Sequence, residues 1–369
     1  MEHFKMERMQ SRWENYVDYN LSESGVHPLS VRELVPEEEW EEVLATRLGY
    51  LQTNGTPELR ESISHLYEGA GIENVLVTTG SAEANYLLAW SQVEPGDDVL
   101  LMLPNYMQLW GLIRGFGGRV IPFWLEEKHD WNPDLNKIER LVTQKTKIIC
   151  ITNPNNPTGS QLSPEARKTL IEMAASVDAW IFSDEVYQGA ELDRQITPSF
   201  WGTYPKVAVT CGLSKAYGLP GLRTGWILAP ASLIETVWPY HDYITISLSA
   251  VSDYLAQKAL EPSTREKILR RTRKILQTNL LILTSWMDRQ KGLFECVPPK
   301  AGAIAFPRYT LNMNSTALVD RIRETKSVLL VPGDHFEMDG FLRIGYGDQE
   351  EHLRMALSRV EEALAEFKA

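Results

Sequence analysis

Cysteine is scarce: Cys150, Cys211 and Cys296 are the three in 369 residues. An odd count without a CxxC pair excludes a disulfide framework and a cysteine-based zinc site. Three reduced thiols are expected, the first two inside apolar strands, and no metal site. Long hydrophobic runs are missing too. The most apolar stretches, such as residues 280–283, fall far short of the roughly 20 residues that span a bilayer. Positive charge is in deficit: 37 Lys and Arg stand against 49 Asp and Glu, a formal net charge of −12. So acidic a chain is a poor non-specific nucleic-acid binder. Residues 1–20 are polar and charged without an apolar segment, so no secretory leader and a cytoplasmic setting are expected. Internal repeats and low-complexity tracts are absent.

Several ligand signatures are also absent. No GxxxxGK[ST] phosphate loop occurs, and Gly115-Phe116-Gly117-Gly118 has the wrong order for a GxGxxG dinucleotide loop. The GxSxG elbow of a serine hydrolase fails because Ala216 occupies its second glycine position.

What is present is ordinary globular composition, 43% hydrophobic and 23% charged. At about 150 residues per domain the length suits two to three domains, or one large α/β domain with an appendage. From about residue 50 to 261, apolar β-type runs alternate with helical segments. Residues 75–79, 98–103, 120–123, 147–152, 179–183 and 206–211 read as short buried strands. Residues 82–92 and 164–176 read as helices, the second with Ser163 as N-cap and Pro164 at its first position. Such alternation predicts an α/β fold with a mostly parallel sheet covered on both faces. Ligands of such sheets bind beyond the carboxyl ends of the strands. The first 45 residues read as irregular and Glu-rich, 263–290 as one long basic helix, and 295–369 as short strands with a terminal helix from Gln349.

Four motifs stand at strand ends. The loop Cys211-Gly212-Leu213-Ser214-Lys215-Ala216-Tyr217-Gly218 continues through Gly221 to Arg223 and Gly225. Its small residues let a large ligand approach the backbone. Ser214 and Arg223 offer a hydroxyl and a guanidinium to a phosphate, and Lys215 beside them could join a cofactor aldehyde as a Schiff base. Asn153-Pro154-Asn155-Asn156-Pro157-Thr158-Gly159 is dense in turn formers. Ser183-Asp184-Glu185-Val186-Tyr187 puts a carboxylate where it can pair with a heterocyclic N–H. Thr79-Gly80-Ser81-Ala82-Glu83-Ala84 is a strand–glycine–helix junction whose backbone N–H groups can cradle a phosphate.

Taken together and in this order, with Leu342-Arg343-Ile344-Gly345 near the end, these motifs resemble the fold type I pyridoxal-phosphate enzymes of the class I/II aminotransferase family. The resemblance runs from about Gly25 to Gly345. It implies a large cofactor-binding domain with a mixed, mostly parallel sheet between helices, plus a smaller α+β domain. It implies that Lys215 forms the Schiff base and moves protons, that Asp184 keeps the pyridine nitrogen protonated, and that Tyr187 and Asn156 contact the ring hydroxyl. Tyr106 matches the aromatic that stacks on the ring. Gly80, Ser81, Ala82, Ser214 and Arg223 match the phosphate cup. Arg343 matches the arginine that grips the substrate carboxylate, with Gly25 and Asn156 also at the substrate. Tyr50 matches a tyrosine that reaches the phosphate of a neighbouring subunit, so a homodimer with shared sites is implied. One position departs: many members carry serine or threonine three residues before the lysine, and here that position is Gly212. His27 and His335 receive no role, although His27 lies two residues beyond Gly25 and could face the substrate.

The expected division is a large domain at 45–262, a small domain from 1–44 and 295–369, and an interdomain helix at 263–294. The implied reaction is ping-pong transfer of an amino group from an L-amino acid to a 2-oxo acid, without nucleic-acid or membrane partners. The alternatives are a lyase, a decarboxylase or a cyclase on the same fold. Asn20-Leu21-Ser22-Glu23-Ser24-Gly25-Val26-His27 faintly resembles capreomycidine-synthase-like members. A catalytically silent binding module is the alternative outside enzymes.

Overall fold

Apolar runs bounded by turn residues become one sheet of eight strands in the computed structural model, which describes residues 2–193, 195–290 and 292–366. The strands are β1 (Val75–Thr78), β2 (Asp98–Leu103), β3 (Arg119–Glu126), β4 (Asn132–Pro133), β5 (Thr146–Thr152), β6 (Trp180–Asp184), β7 (Val207–Gly212) and β8 (Gly225–Leu228). Their order is β1-β8-β7-β6-β5-β2-β3-β4. The run from β3 to β7 is parallel, whereas β8 is antiparallel to both neighbours and β4 to β3. Every residue of β1, β2, β7 and β8 is buried. Burial on both faces is why these strands read as continuous apolar runs rather than as alternation.

The register brings three motifs together. Thr152 pairs with Asp184 and Asp184 with Thr210, so the loops after β5, β6 and β7 leave one sheet edge side by side. Helix Pro164–Ser176 begins as its sequence predicts, with Ser163 Oγ accepting from Ala166 N at 3.1 Å. The long helix runs Pro262–Arg289 and the terminal one Glu350–Glu366.

The smaller elements join the two ends of the chain. Tyr19–Asn20 pairs in parallel with Val328–Leu329. Leu342–Gly345 lies between Ile304–Ala305 and Val331–Pro332, antiparallel to both. The first 45 residues are not irregular. Helix Lys5–Trp13 opens the chain, and short helices follow at Val31–Leu34 and Trp40–Leu44. Met6 and Gln10 are the buried side chains of that first helix, four residues apart on one face. Two positions are too few for a helical period to emerge from sequence. Among the described residues, no helix is long and apolar enough to cross a membrane.

Candidate active site

The strand ends open into a cavity of about 300 Å³, lined by Ser81, Ala82, Tyr106, Asn156, Asp184, Tyr187, Ser214, Lys215, Arg223 and Arg343 among others. Local chemistry explains each placement. In the loop after β5, Asn155 donates to Pro104 O at 3.0 Å and accepts from Thr158 Oγ1 at 2.7 Å, while Asn153 Oδ1 accepts from Leu162 N at 2.9 Å. These side chains satisfy the turn's backbone and leave Asn156 facing the cavity. After β2, Asn105 does the same work, accepting from Met107 N at 2.6 Å and donating to Met102 O at 2.7 Å. Tyr106 is presented between them.

Asp184 closes β6 with its carboxylate buried. Oδ2 accepts from Asn85 Nδ2 at 3.0 Å and Oδ1 from Val186 N at 3.2 Å. Asn85 Oδ1 in turn accepts from Thr210 Oγ1 at 2.8 Å. Burial pushes the Asp184 carboxyl above its ordinary range, against the pull of those donors and of Lys215. Sequence alone does not single out Asn85. It lies four residues after Ser81 on helix Ser81–Gln92, one turn inside the junction motif, and that spacing was the available signal.

Gly80 turns β1 into this helix with φ +84°, a conformation that favours glycine. A Cβ there would lie 2.6 Å from Arg223 Nη2, so the missing side chain lets the guanidinium cover the helix N-terminus. Ser81, Ala82, Ser214 and Arg223 thus surround one anion-sized recess. The Gly212 departure has a steric cause. A Cβ at 212 would meet Thr224 O at 2.9 Å and Gly225 Cα at 3.2 Å, leaving no room for serine or threonine without a shift.

Lys215 Nζ lies 2.8 Å from Glu23 Oε1, and the same oxygen accepts from Ser24 N at 2.7 Å and Gly25 N at 2.9 Å. The lysine's charge holds the Glu23 carboxyl down at about 2 despite its partial burial. Burial works to lower the Lys215 pKa, but Glu23 and Tyr187 outweigh it and the ammonium is favoured. Gly345 explains how Glu23 arrives. A Cβ at that position would come within 2.1 Å of Glu23 O, so only glycine lets the incoming chain cross the strand so closely.

Arg343 is 1% exposed. It donates from Nη1 to Asn156 Oδ1 at 3.0 Å and from Nη2 to Ser22 O at 2.5 Å, while Nε has no partner among the described residues. Tyr187 is buried as well. Its hydroxyl lies near Ser24, but no well-aligned hydrogen bond from the described residues reaches it. Two buried polar groups facing a cavity with unused capacity mark a place where a ligand completes the bonding.

Gly25 packs against the lysine, its added Cβ lying 3.5 Å from Lys215 Cδ. Tyr50 is not brought to this cavity within the chain and is 86% exposed. His27 does not face the cavity. Its imidazole and carbonyl are taken by Arg271, at 2.8 Å from Nδ1 and 3.0 Å from O, and burial with that guanidinium lowers its pKa. The sequence also gave no sign that helix Lys5–Trp13 lines the cavity through Met6, Glu7 and Gln10, with Glu14 at its end. Glu7 accepts from Tyr106 Oη at 2.5 Å, and Phe4 packs edge-on to the same ring at 5.0 Å.

A mixed α/β sheet whose carboxyl edge gathers a lysine, a buried carboxylate and an arginine-covered anion recess, facing a second, buried arginine from the smaller sheet, describes an enzyme that works on a bound small molecule. The sequence profile described as aminotransferase class I and II matches residues 19–360, and the chain belongs to that family. It is 30% identical to a capreomycidine synthase of Streptomyces vinaceus, over 94% of this chain and 89% of that one. It is 26% identical to an aspartate aminotransferase of Pyrococcus horikoshii, over 85% and 83% of the two chains. Among solved structures, a PLP-dependent aminotransferase from Streptococcus suis superposes with TM-score 0.93 at 34% identity, covering 99% and 98%.

Proposed function

We propose that this enzyme transfers an amino group from an L-amino acid to a 2-oxo acid by a ping-pong mechanism. Its cofactor is pyridoxal 5′-phosphate. The carrying observation is that Lys215, Asp184, Arg223 and Arg343 line one cavity. The residues fit the cofactor: the recess under Arg223 suits its phosphate, and the unpartnered Tyr187 hydroxyl suits its ring hydroxyl. When bound, it supplies an aldehyde that condenses with amines and a cationic ring that draws electrons from the substrate Cα.

The chain's residues do the rest. Arg223, Ser81, Ala82 and Ser214 would hold the phosphate, and Tyr106 would lie against the ring. Asp184, fixed by Asn85 and Val186 N, holds a proton at the ring nitrogen. Arg343 turns its two Nη groups from Ser22 O and Asn156 to the substrate carboxylate, a bidentate match. Lys215 Nζ would take the Cα proton as general base and return it, as acid, to the carbon that the cofactor's aldehyde contributes. The part of the chain at 45–262 carries the cofactor, and 1–44 with 295–369 forms the smaller unit that closes on the substrate. A homodimer is part of this reading, with Tyr50 serving the partner's phosphate recess. Its exposure leaves it free for that.

The test is a single turnover without a 2-oxo acid. Transfer predicts about one equivalent of the cofactor's amine form per site and then a halt. Continuous turnover without acceptor would instead support the second reading, an elimination or cyclisation. The 30% identity to a capreomycidine synthase over nearly the whole chain favours that alternative.

A further inference from the structure

We propose that the cavity selects amino acids whose side chain ends in a cation, an ammonium or a guanidinium, and that Glu7, Glu14 and Glu23 make the selection. The inference rests on the amino-acid-binding reading above but not on which reaction follows binding.

The argument is a charge balance. The charged groups lining the cavity are Lys215, Arg223 and Arg343 on one side and Asp184, Glu7, Glu14 and Glu23 on the other. In the proposed site every cation is committed. Arg223 faces the phosphate, Arg343 the substrate carboxylate, and Lys215 gives up its ammonium when its amine engages the cofactor aldehyde. Asp184 is committed to the ring nitrogen. Three carboxylates are left without a cation.

Two of them are held by hydrogen bonds. Glu23 is fixed by two backbone amides, and its lysine partner at 2.8 Å is the group that the cofactor aldehyde takes up before substrate arrives. Glu7 is tethered by the Tyr106 hydroxyl. Glu14 lies close to both, and burial with the charges of Glu23 and Glu7 raises its carboxyl above the ordinary range. A substrate cation entering here meets three acceptors and relieves their mutual repulsion. A side-chain carboxylate meets like charge and finds no uncommitted cation.

An independent observation says that a ligand is expected and fixes its orientation. Arg343, which lines the same cavity, is almost wholly buried, and its Nε has no partner among the described residues. A carboxylate anchored there ties down one end of an amino acid and leaves its side chain to the remaining lining.

The experiment compares isosteres on the holoenzyme. Dissociation constants are read from the change in the cofactor's absorbance for arginine against citrulline, lysine against norleucine, and for aspartate and glutamate. The basic member of each pair should bind at least about tenfold more tightly than its neutral counterpart, with the dicarboxylic acids weakest. Salt should shrink the ratio. Glu14→Gln and Glu23→Gln should each move that ratio toward one. Equal binding of citrulline and arginine, or tightest binding of a dicarboxylic acid, overturns the proposal. The wild-type panel decides this even if a variant fails to fold. The two readings fail separately. Basic amino acids that bind tightly yet turn over without acceptor remove transfer and keep this inference. Stoichiometric amine formation from a preferred neutral or acidic amino acid does the reverse.

Discussion

One wall of the cavity is made of strand ends. Asp184 closes β6, Lys215 follows β7, Asn156 follows β5, and Arg343 lies in a strand of the smaller sheet. The other wall is made of chain before residue 25: helix Lys5–Trp13, Glu14 at its end and the crossing segment that carries Glu23. With Arg223, from the same loop as Lys215, the first wall brings three cations and one carboxylate, the second three carboxylates. Strand ends are fixed by a ladder of backbone bonds and by burial, so they suit groups whose position must hold through a reaction. In the second wall, helix Lys5–Trp13 is held to the site by side-chain contacts, such as Glu7 on Tyr106 and Gln10 on Ser22, and suits the part of the site that distinguishes one substrate from another.

The sharpest break in this comparison is expected on the strand-end wall. Lys215→Ala should lower the rate of Cα proton removal by at least about 10²-fold, the lower range for positioned acid–base catalysis. It should still retain cofactor through the Arg223 recess. Single-turnover absorbance measures the rate, and gel filtration followed by phosphate analysis measures retention. A rate near wild type would remove Lys215 from its role.

A smaller loss is expected one step behind that wall. Asn85→Ala leaves Asp184 Oδ2 and Thr210 Oγ1 without their partner, although Val186 N still holds Oδ1. Unsatisfied buried groups cost about 1–3 kcal/mol. The same proton-transfer rate should therefore fall less than in Lys215→Ala, with the carboxylate-binding step at Arg343 unchanged. An effect on amino-acid affinity alone would show that Asn85 does not act through Asp184.

The N-terminal wall should give less still. Glu7→Gln keeps an acceptor for the Tyr106 hydroxyl and removes only the charge, which is worth about 1 kcal/mol in a hydrogen bond. Cofactor dissociation should accelerate by no more than about tenfold. Loss of cofactor binding altogether would mean that this helix supports the site as firmly as the strands do.

The two walls also differed in how well sequence revealed them. β2, β5, β6 and β7 are continuous apolar runs ended by turn formers, and buried strands of that kind leave a plain signal. Motifs rich in Asn, Gly and Pro then marked the loops that follow. Helix Lys5–Trp13 buries Met6 and Gln10 alone, one of them polar, so its charged sequence hides it. The strand Gly225–Leu228 leaves little signal because it is four residues long and continues directly from the glycine-rich loop. Glu23 could not be read as a neighbour of Lys215, since 192 residues separate them and the close crossing at Gly345 is a tertiary fact.

The smallest effect on the reaction should come from Glu185, the residue beside Asp184 whose side chain belongs to neither wall. Its Oε1 accepts from Ser183 Oγ and Phe200 N, both at 2.9 Å, while Oε2 is buried without a partner among the described residues. Burial raises its carboxyl from an ordinary value of 4.5 to about 7, against the pull of those donors. The sign of the stability effect follows. Between those two values the folded chain keeps a proton that the unfolded chain has released, so stability falls as pH rises across the window. The contribution is complete below the unfolded value and is lost as pH passes through the folded one. Glu23, held down at about 2, works in the opposite sense: its contribution is present above its ordinary value and is lost only in strong acid. Glu185→Gln should therefore leave turnover close to wild type and flatten the fall in Tm between pH 5 and 8. Subtracting the two Tm curves removes the groups they share. Parallel curves across that range would show that Glu185 is ionised throughout, and that the unpartnered Oε2 finds a donor in solution.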